Sequence, residues 1–506
     1  MAQTFPDAAG TPPSASTQGA EEKISIQKIR VTGATIYSAA TLEALVNSLD
    51  HGEHTLAELQ LGVERINAFY RADGWTLARA YLPTQTVRNG EIEIRVLEGA
   101  LSEVHIDNQS RLRTSVLEAR LAPIPRSAPL NQHQLDRTLL LLSDVSGTQF
   151  SADLAPGVST GLTDLRLSAQ TSPLLAGRLE VDNYGSQYLG RVRTGGKFAL
   201  NNPLGYGEQF SLHVLGGHSS LFFGNISAQV PLGFNGLGLG ASVTRTQYRL
   251  GSDFAQLDAT GSVRAAAINI NYAWIRSLNT NLSSQISVET RALQDKVNAT
   301  ETVIDKHAQH ASLDLTFSHR SEGGSNNLAI LRFGTGHLAL DNEVTRAIDA
   351  ASAQTAGRYN TLDLELQRTQ PLLGKWEAYV RWHGQAASRN LDSYDKLGLG
   401  GPNGVRAYPS GEATGDQGWL SQVEIRYTAS PMLIPSVFWD TGAVLINKNP
   451  FLSGDNHRRL EGAGLGIRGS YQNFDWQAWL AWRRTNPAQS EKDMSPRAWI
   501  QGGWAF

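Results

Sequence analysis

The 506-residue sequence contains no cysteine. That removes disulfides, thiolate metal sites and cysteine nucleophiles from consideration. No run of 18 apolar residues occurs, so no transmembrane helix is expected. Neither charge sign dominates: 44 Lys+Arg against 47 Asp+Glu leave a net charge of -3. A nucleic-acid binder carries a basic face or stripe; none is present, so nucleic acid is not an expected partner. A signal peptide is also missing, so the numbering is expected to start near the mature end, with Met1 added for expression.

Signatures of catalysis are equally scarce. The glycine run 398–401 lacks the Lys-Ser/Thr ending and following helix of a phosphate loop. No H-E-x-x-H spacing exists, so His51-Gly52-Glu53-His54, placed in a turn between two helices, and the pair His307 and His310 read as exposed polar residues. No G-x-S-x-G elbow stands out. The expectation is a non-enzyme with no catalytic residue, metal or cofactor.

What is present divides near residue 173. Residues 1–22, rich in Ala, Pro, Gly, Ser and Thr, read as a disordered lead-in. Ile24 to Val31 has a strand pattern. Ser38 to Leu49 is predicted helical, with Leu42, Leu45, Val46 and Leu49 on one face. Thr55-Leu56-Ala57-Glu58 forms a capping box opening a second helix with the stripe Leu59, Val63 and Ile66. Strands are expected over Leu77 to Leu82 and Glu91 to Val96. The pattern then repeats: a strand from Leu101 to Ile106, a helix near Thr114 to Leu121, another capped by Asn131, and closing strands Gln149 to Leu154 and Leu162 to Ser168.

After residue 173 the dominant signal is period-2 alternation. Leu313, Leu315 and Phe317 alternate with Asp314, Thr316 and Ser318; Val423, Ile425 and Tyr427 alternate with Gln422, Glu424 and Arg426. Gly236, Gly238 and Gly240 fit a strand of the same kind. Ten of the 11 Trp lie in this part, as suits rings anchored at membrane–water interfaces. A mean hydropathy of -0.28 does not argue against a membrane barrel, because half of each strand faces a polar lumen. From Gly177 onward about sixteen such segments occur, an even number as single-chain bacterial barrels require.

Several motifs carry a family resemblance. Phe69-Tyr70-Arg71-Ala72-Asp73-Gly74-Trp75, Ala78-Arg79-Ala80-Tyr81-Leu82-Pro83 and Val96-Leu97-Glu98-Gly99 resemble a POTRA domain of the two-partner secretion transporters. Asp182-Asn183-x-Gly185, placed on the first barrel strand, and Asn201-Asn202-Pro203-Leu204-Gly205-Tyr206-Gly207, between the second and third, look familial too. Val405-Arg406-Ala407-Tyr408 resembles the VRGY-type loop motif of the BamA-like superfamily, with Ala407 where the family often has Gly. Phe438-Trp439-Asp440-Thr441-Gly442 matches its F-x-D-x-G motif. Ile500, Trp504 and Phe506 resemble the C-terminal signal read by the barrel-assembly machinery.

Over about residues 24–506 the chain resembles the TpsB family of two-partner secretion (type Vb) outer-membrane transporters, the ShlB/FhaC/HecB-like haemolysin secretion/activation proteins. The resemblance implies α+β periplasmic POTRA domains, 23–98 and 99–173, followed by an all-β transmembrane barrel of about 16 antiparallel strands, 174–506, with a loop at about 396–416 folded into the lumen. It implies that Arg406 meets the wall carboxylate Asp440, and that a large unfolded exoprotein client with an N-terminal secretion domain is exported to the cell surface. Outer-membrane lipid or lipopolysaccharide and the barrel-assembly machinery are the other expected partners. Many relatives carry an N-terminal plug helix. Pro6, Pro12, Pro13, Gly10 and Gly19 disfavour one here, which predicts a higher resting conductance than in plugged relatives. Rival readings are a barrel-assembly insertase, a passive diffusion porin, or a surface enzyme on a barrel.

Overall fold

The computed structural model describes residues 23–217 and 220–506; the lead-in and the question of a plug helix fall outside them. Compact packing divides the chain into two units, one comprising residues up to 105 with 124–135 and 153–166, the other comprising 106–123, 136–152 and 167–506.

The first unit is built around one α/β module. Its elements are β1 (Lys23–Ile26), β2 (Lys28–Thr32), α1 (Ala39–Ala44), β3 (Gly52–Thr55), α2 (Leu56–Ala72), β4 (Arg79–Tyr81) and β5 (Glu91–Leu97). The expected capping box is formed: Thr55 Oγ1 accepts from Glu58 N, and Glu58 Oε2 accepts from Thr55 N. The α2 stripe Leu59, Val63, Ile66 and Tyr70 buries against Ile29, Val31, Ile92, Ile94 and Val96 of the sheet. The helix expected to run from Ser38 to Leu49 breaks after Ala44 and tightens to a 3₁₀ turn at Asn47–Leu49, although Leu42, Val46 and Leu49 still reach the core. The stretch expected as a turn at His51–His54 is instead largely β3, paired antiparallel to β1.

Glu98, from the junction motif, has a physical role here. Its Oε1 accepts from the backbone N of Thr35 and Ile36, both at 2.8 Å, and from the buried Tyr70 hydroxyl at 2.9 Å; Oε2 accepts from the Thr35 hydroxyl. Burial alone would raise the carboxyl's pKa, but these donors outweigh it and hold Glu98 below its ordinary value of 4.5. Gly99 follows at φ +47, where a Cβ would lie 2.5 Å from Leu77.

The second sheet is formed by β6 (Ala100–Gln109), β7 (Thr148–Pro156) and β8 (Leu162–Thr171), in the order β6-β8-β7, with α3 (Thr114–Leu121) and α4 (Gln132–Ser143) between β6 and β7 in sequence. Within the second unit, α4 is tied to barrel turns. Arg137 donates to the carbonyls of Ala273 (2.6 Å) and Asn235 (3.1 Å), and Asp144 accepts both forks of Arg276 (2.7 and 2.8 Å).

The barrel closes with sixteen antiparallel strands. In chain order they are β9 (Leu175–Asp182), β10 (Arg193–Asn201), β11 (Gln209–Gly217), β12 (Leu221–Leu232), β13 (Leu237–Arg249), β14 (Ala259–Arg276), β15 (Thr280–Val297), β16 (Thr302–Arg320), β17 (Asn326–Leu340), β18 (Gly357–Pro371) and β19 (Trp376–Ala387). Between β17 and β18 lies α5 (Glu343–Ala350), and two short bridging strands, β20 (Leu397–Gly398) and β21 (Thr414–Gly415), belong to the loop after β19. The wall then resumes with β22 (Gln417–Tyr427), β23 (Ile434–Leu445), β24 (His457–Tyr471), β25 (Phe474–Arg483) and β26 (Arg497–Ala505). β26 pairs with β9 from Gln501↔Asp182 to Ala505↔Arg178, and Phe506 and Gly177 exchange both backbone hydrogen bonds at 2.9 Å.

Apolar residues at alternate positions, such as Ile226, Val243, Ile268 and Val288, face outward and are exposed, as a lipid-facing band requires. The predicted strand placement of Gly238 and Gly240 holds, whereas Gly236 is a turn residue at φ +89. Asp182 ends β9, so Asn183 and Gly185 lie in the following loop rather than on the strand. There a Cβ on Gly185 would meet the Gly190 carbonyl at 1.9 Å. Turns at the end where β9 begins are short, and long loops emerge at the other end; outer-membrane barrels place the short turns in the periplasm and the long loops outside the cell.

The folded pKa of Glu98 is depressed, so its contribution is complete above pH 4.5 and is lost as pH falls through the folded value. Hydrogen-exchange protection of residues 33–38 in the full chain is expected to hold at neutral pH and to weaken as pH falls below the ordinary carboxyl value of 4.5, after correction for intrinsic rates. Glu98→Gln should flatten that dependence and cost about 2 kcal/mol at neutral pH. A pH profile identical to wild type in the variant would refute this role.

Candidate functional site

The loop between β19 and β22, residues 388–416, turns into the lumen. Local chemistry explains its tight course. A Cβ on Gly404 would sit 1.9 Å from the Leu399 carbonyl, and Gly401 adopts φ +114. Val405 N donates to Leu399 O at 2.7 Å, closing the turn that presents Arg406. Leu399, Val405, Ala407 and Tyr408 pack with Leu420, Phe438, Leu460 and Ala481 of the wall. Ala407 is not among the positive-φ residues, so the departure from glycine costs the turn no backbone strain. Its methyl lies against Gly462, where a Cβ would come within 2.5 Å of it.

Arg406 is the hub and is 3 % exposed. Its Nε donates to Asp440 Oδ2 and its Nη2 to Asp440 Oδ1, both at 2.8 Å, and its backbone N reaches Oδ2 at 3.1 Å. Asp440 is completely buried on β23. The third guanidinium nitrogen, Nη1, donates to Glu424 Oε2 on β22 at 3.0 Å. The Glu424 carboxylate also accepts from Arg426 Nε at 3.0 Å and from Arg468. The Arg406 guanidinium lies 3.5 Å from the Phe438 ring centroid, and Trp499 Nε1 donates to Arg406 O at 2.7 Å. Three arginines and two carboxylates thus share one buried cluster, in which every lost partner would strand a charge in a site of reduced dielectric.

The expected pairing of Arg406 with Asp440 is therefore present in bidentate form. Phe438 stacks on the guanidinium, and Gly442 lies where a Cβ would come within 2.7 Å of the Trp419 carbonyl and 3.0 Å of Leu399. Tyr408 is fully buried; its hydroxyl donates to Asn486 O at 2.8 Å and lies 2.9 Å from Thr485 Oγ1. Ile500, Trp504 and Phe506 sit apart from this cluster, exposed on or beside β26.

Sequence reasoning missed Glu424 as a partner, though period-2 alternation had already put it on the polar face of its strand. The register Gln422↔Asp440 brings it beside the motif. It also missed two further anchors of the same loop. On the far wall, Asp395 accepts from Arg291 Nη1 (2.7 Å) and the Tyr359 hydroxyl (2.8 Å), and Asp392 accepts from Lys306 Nζ (2.7 Å). At the outer mouth, buried Glu412 accepts from Arg458 (2.7 Å) and from the backbone N of Gln489 and Ser490. The loop is thus a strap fixed to β15, β16 and β18 at one side and to β22–β24 and the β25–β26 loop at the other. Among the described residues, no cluster of His, Cys, Asp and Glu could hold a metal ion.

Residues 161–469 match the family model described as haemolysin secretion/activation protein ShlB/FhaC/HecB, and residues 24–99 match a ShlB-type POTRA domain. The chain is similar to the heme/hemopexin transporter protein HuxB of Haemophilus influenzae (strain 86-028NP), at 24% identity over 87% of this chain and 81% of that one. It is similar to the outer membrane transporter CdiB of Dickeya dadantii (strain 3937), at 21% identity over 92% of this chain and 84% of the relative. Among solved structures, CdiB from Escherichia coli superposes with a TM-score of 0.79 at 16% identity, covering 98% of this chain and 93% of that one.

Arg406→Ala should loosen the strap by about 3–5 kcal/mol, because Asp440 and Glu424 lose their shared counter-charge. Limited proteolysis of the folded barrel would show it as new cleavage within 396–416. Asp440→Ala should act alike, and the double variant should cost less than the sum of the two. Cleavage at the wild-type rate in all three would mean that the strap does not depend on this pair.

Proposed function

The chain belongs to the haemolysin secretion/activation (ShlB/FhaC/HecB) family of outer-membrane transporters, and from that membership we propose that it exports one large, unfolded exoprotein from the periplasm to the cell surface. The observation that carries the reading is the strap itself. A closed sixteen-stranded barrel holds a lumen loop by a buried Arg406–Asp440–Glu424 cluster, an arrangement with two sides to release and one charge hub to hold it. A passive porin has no need of such a loop or of α/β modules ahead of its barrel.

In mechanism, the modules 23–98 and 99–173 receive the client as an extended chain. Edge strands of the sheets β2-β5-β4 and β6-β8-β7 offer backbone donors and acceptors to a segment without regard to its sequence. The barrel 174–506 supplies the path. The strap, with Val405, Arg406, Ala407 and Tyr408 at its tip, sets the width of that path. Client folding outside the cell supplies direction, since no nucleotide is consumed at this membrane. Ile500, Trp504 and Phe506 present the barrel to the assembly machinery during biogenesis.

The test is co-expression in an outer-membrane host with a candidate large exoprotein from the same genome. Wild type should place that exoprotein on the surface or in the medium. Arg406→Ala should cut export at least tenfold at equal barrel levels, and deletion of 24–170 should abolish it. Export that survives the deletion would favour the porin reading. Failure of other barrels to insert when this chain is removed would favour the insertase.

A further inference from the structure

A cationic patch faces away from the lumen, just above the lipid-facing band at the loop end of β13, β14 and β15. The alternation fixes its direction. Tyr248 bonds to Asp295 inside the barrel at 3.0 Å, and Val263 packs against the lumen cluster around Leu293. Their neighbours Arg249, Gln247 and Arg245, Arg264 and Ser262, and Lys296 and Gln294 therefore point outward. The outward residues one step lower in register are apolar or small: Val243 beside Ala266, then Ala241 beside Ile268.

Register puts Arg245 directly opposite Arg264, while Arg249 and Lys296 flank Thr260 from either side. Like charges placed directly opposite on a sheet destabilise it unless something answers them. Among the described residues no carboxylate lies within ion-pair distance of Arg245, Arg264 or Lys296. Arg249 alone has one, Asp258 at 3.6 Å, and the nearby Asp305 accepts from Gln294 at 2.7 Å. Arg249, Arg264 and Lys296, with Gln247, Ser262 and Gln294, line a hollow of about 540 Å³, and Phe222 forms an apolar edge to it. The hollow thus has cations and amide donors on one side and an exposed aromatic ring on the other.

We propose that this hollow binds the phosphate-bearing headgroup of an outer-leaflet lipopolysaccharide, with Arg264 and Lys296 on phosphate, Arg245 adding positive charge beside Arg264 at its edge, and Phe222 against the adjoining chain. Charge complementarity selects an anion, because only a phosphate or similar group neutralises the opposed arginines. The position selects a lipid, because the cations follow the last apolar row and the ring continues the lipid-facing surface. The inference rests on the outer-membrane setting and not on the export reading, so either can fail without the other.

The test is native mass spectrometry of the full chain purified from an outer membrane and then titrated with lipid A bearing two phosphates. Wild type should retain one lipid A. The triple variant Arg245→Gln, Arg264→Gln, Lys296→Gln should weaken retention at least tenfold, with heat-modifiable mobility confirming a folded barrel. If the triple variant does not fold, the pair Arg245→Gln, Arg264→Gln serves. Arg358→Gln, an outward cation on another part of the wall, should leave retention unchanged, and dephosphorylated lipid A should bind poorly to wild type. Equal retention by wild type and triple variant would overturn the site. So would displacement of lipid A by millimolar inorganic phosphate, which would make it a free-anion site, or equal loss in Arg358→Gln, which would reduce it to general surface charge.

Discussion

Hydrocarbon cannot hydrogen-bond a peptide group, and nearly everything in this barrel follows from that. Every N–H and C=O at membrane depth has to be paired within the wall, so the first and last strands must meet. They do so along only five paired positions, from Gln501↔Asp182 to Ala505↔Arg178, extended by the mutual bonds of Phe506 and Gly177. The last residue of the chain is therefore part of the seam. The same constraint sends the apolar side chains of each strand outward and leaves the polar alternates to line the interior.

A lumen lined with charges raises its own difficulty, since charges away from bulk water must be matched. The strap resolves much of it. Arg406 brings one cation to Asp440 and Glu424, and Glu424 is shared with Arg426 and Arg468. On the other wall Asp392 and Asp395 answer Lys306 and Arg291. Buried ion pairs of this kind are weak contributors to net stability, because desolvation offsets most of the attraction. Their value is geometric. A planar guanidinium bonded at all three nitrogens admits one loop position, and a carboxylate deprived of it is left poorly solvated.

Much of this was legible in the chain. The Arg406 and Asp440 motifs, the strand alternation, the Thr55–Glu58 cap and the two repeated α/β patterns all rest on residues close in sequence or on a short period, and local physics governs them. The misses have a common origin. The pairing of Gly52–Thr55 with Lys23–Ile26, the break of the first helix at Ala44 and the place of Gly185 beyond its strand each depend on what packs against the segment from elsewhere.

Side-chain period determined which face each barrel residue takes, and the lack of a long apolar run determined that none of the described helices is long and apolar enough to cross a membrane; both are properties of the chain alone. Only the tertiary structure decided which charges meet. Glu424 lies 18 residues from Arg406, Asp395 lies 104 from Arg291, and Arg245 faces Arg264 across two strands. Strand register and barrel closure set those meetings. Register is a collective outcome of every pair in the wall, and no window of sequence contains it.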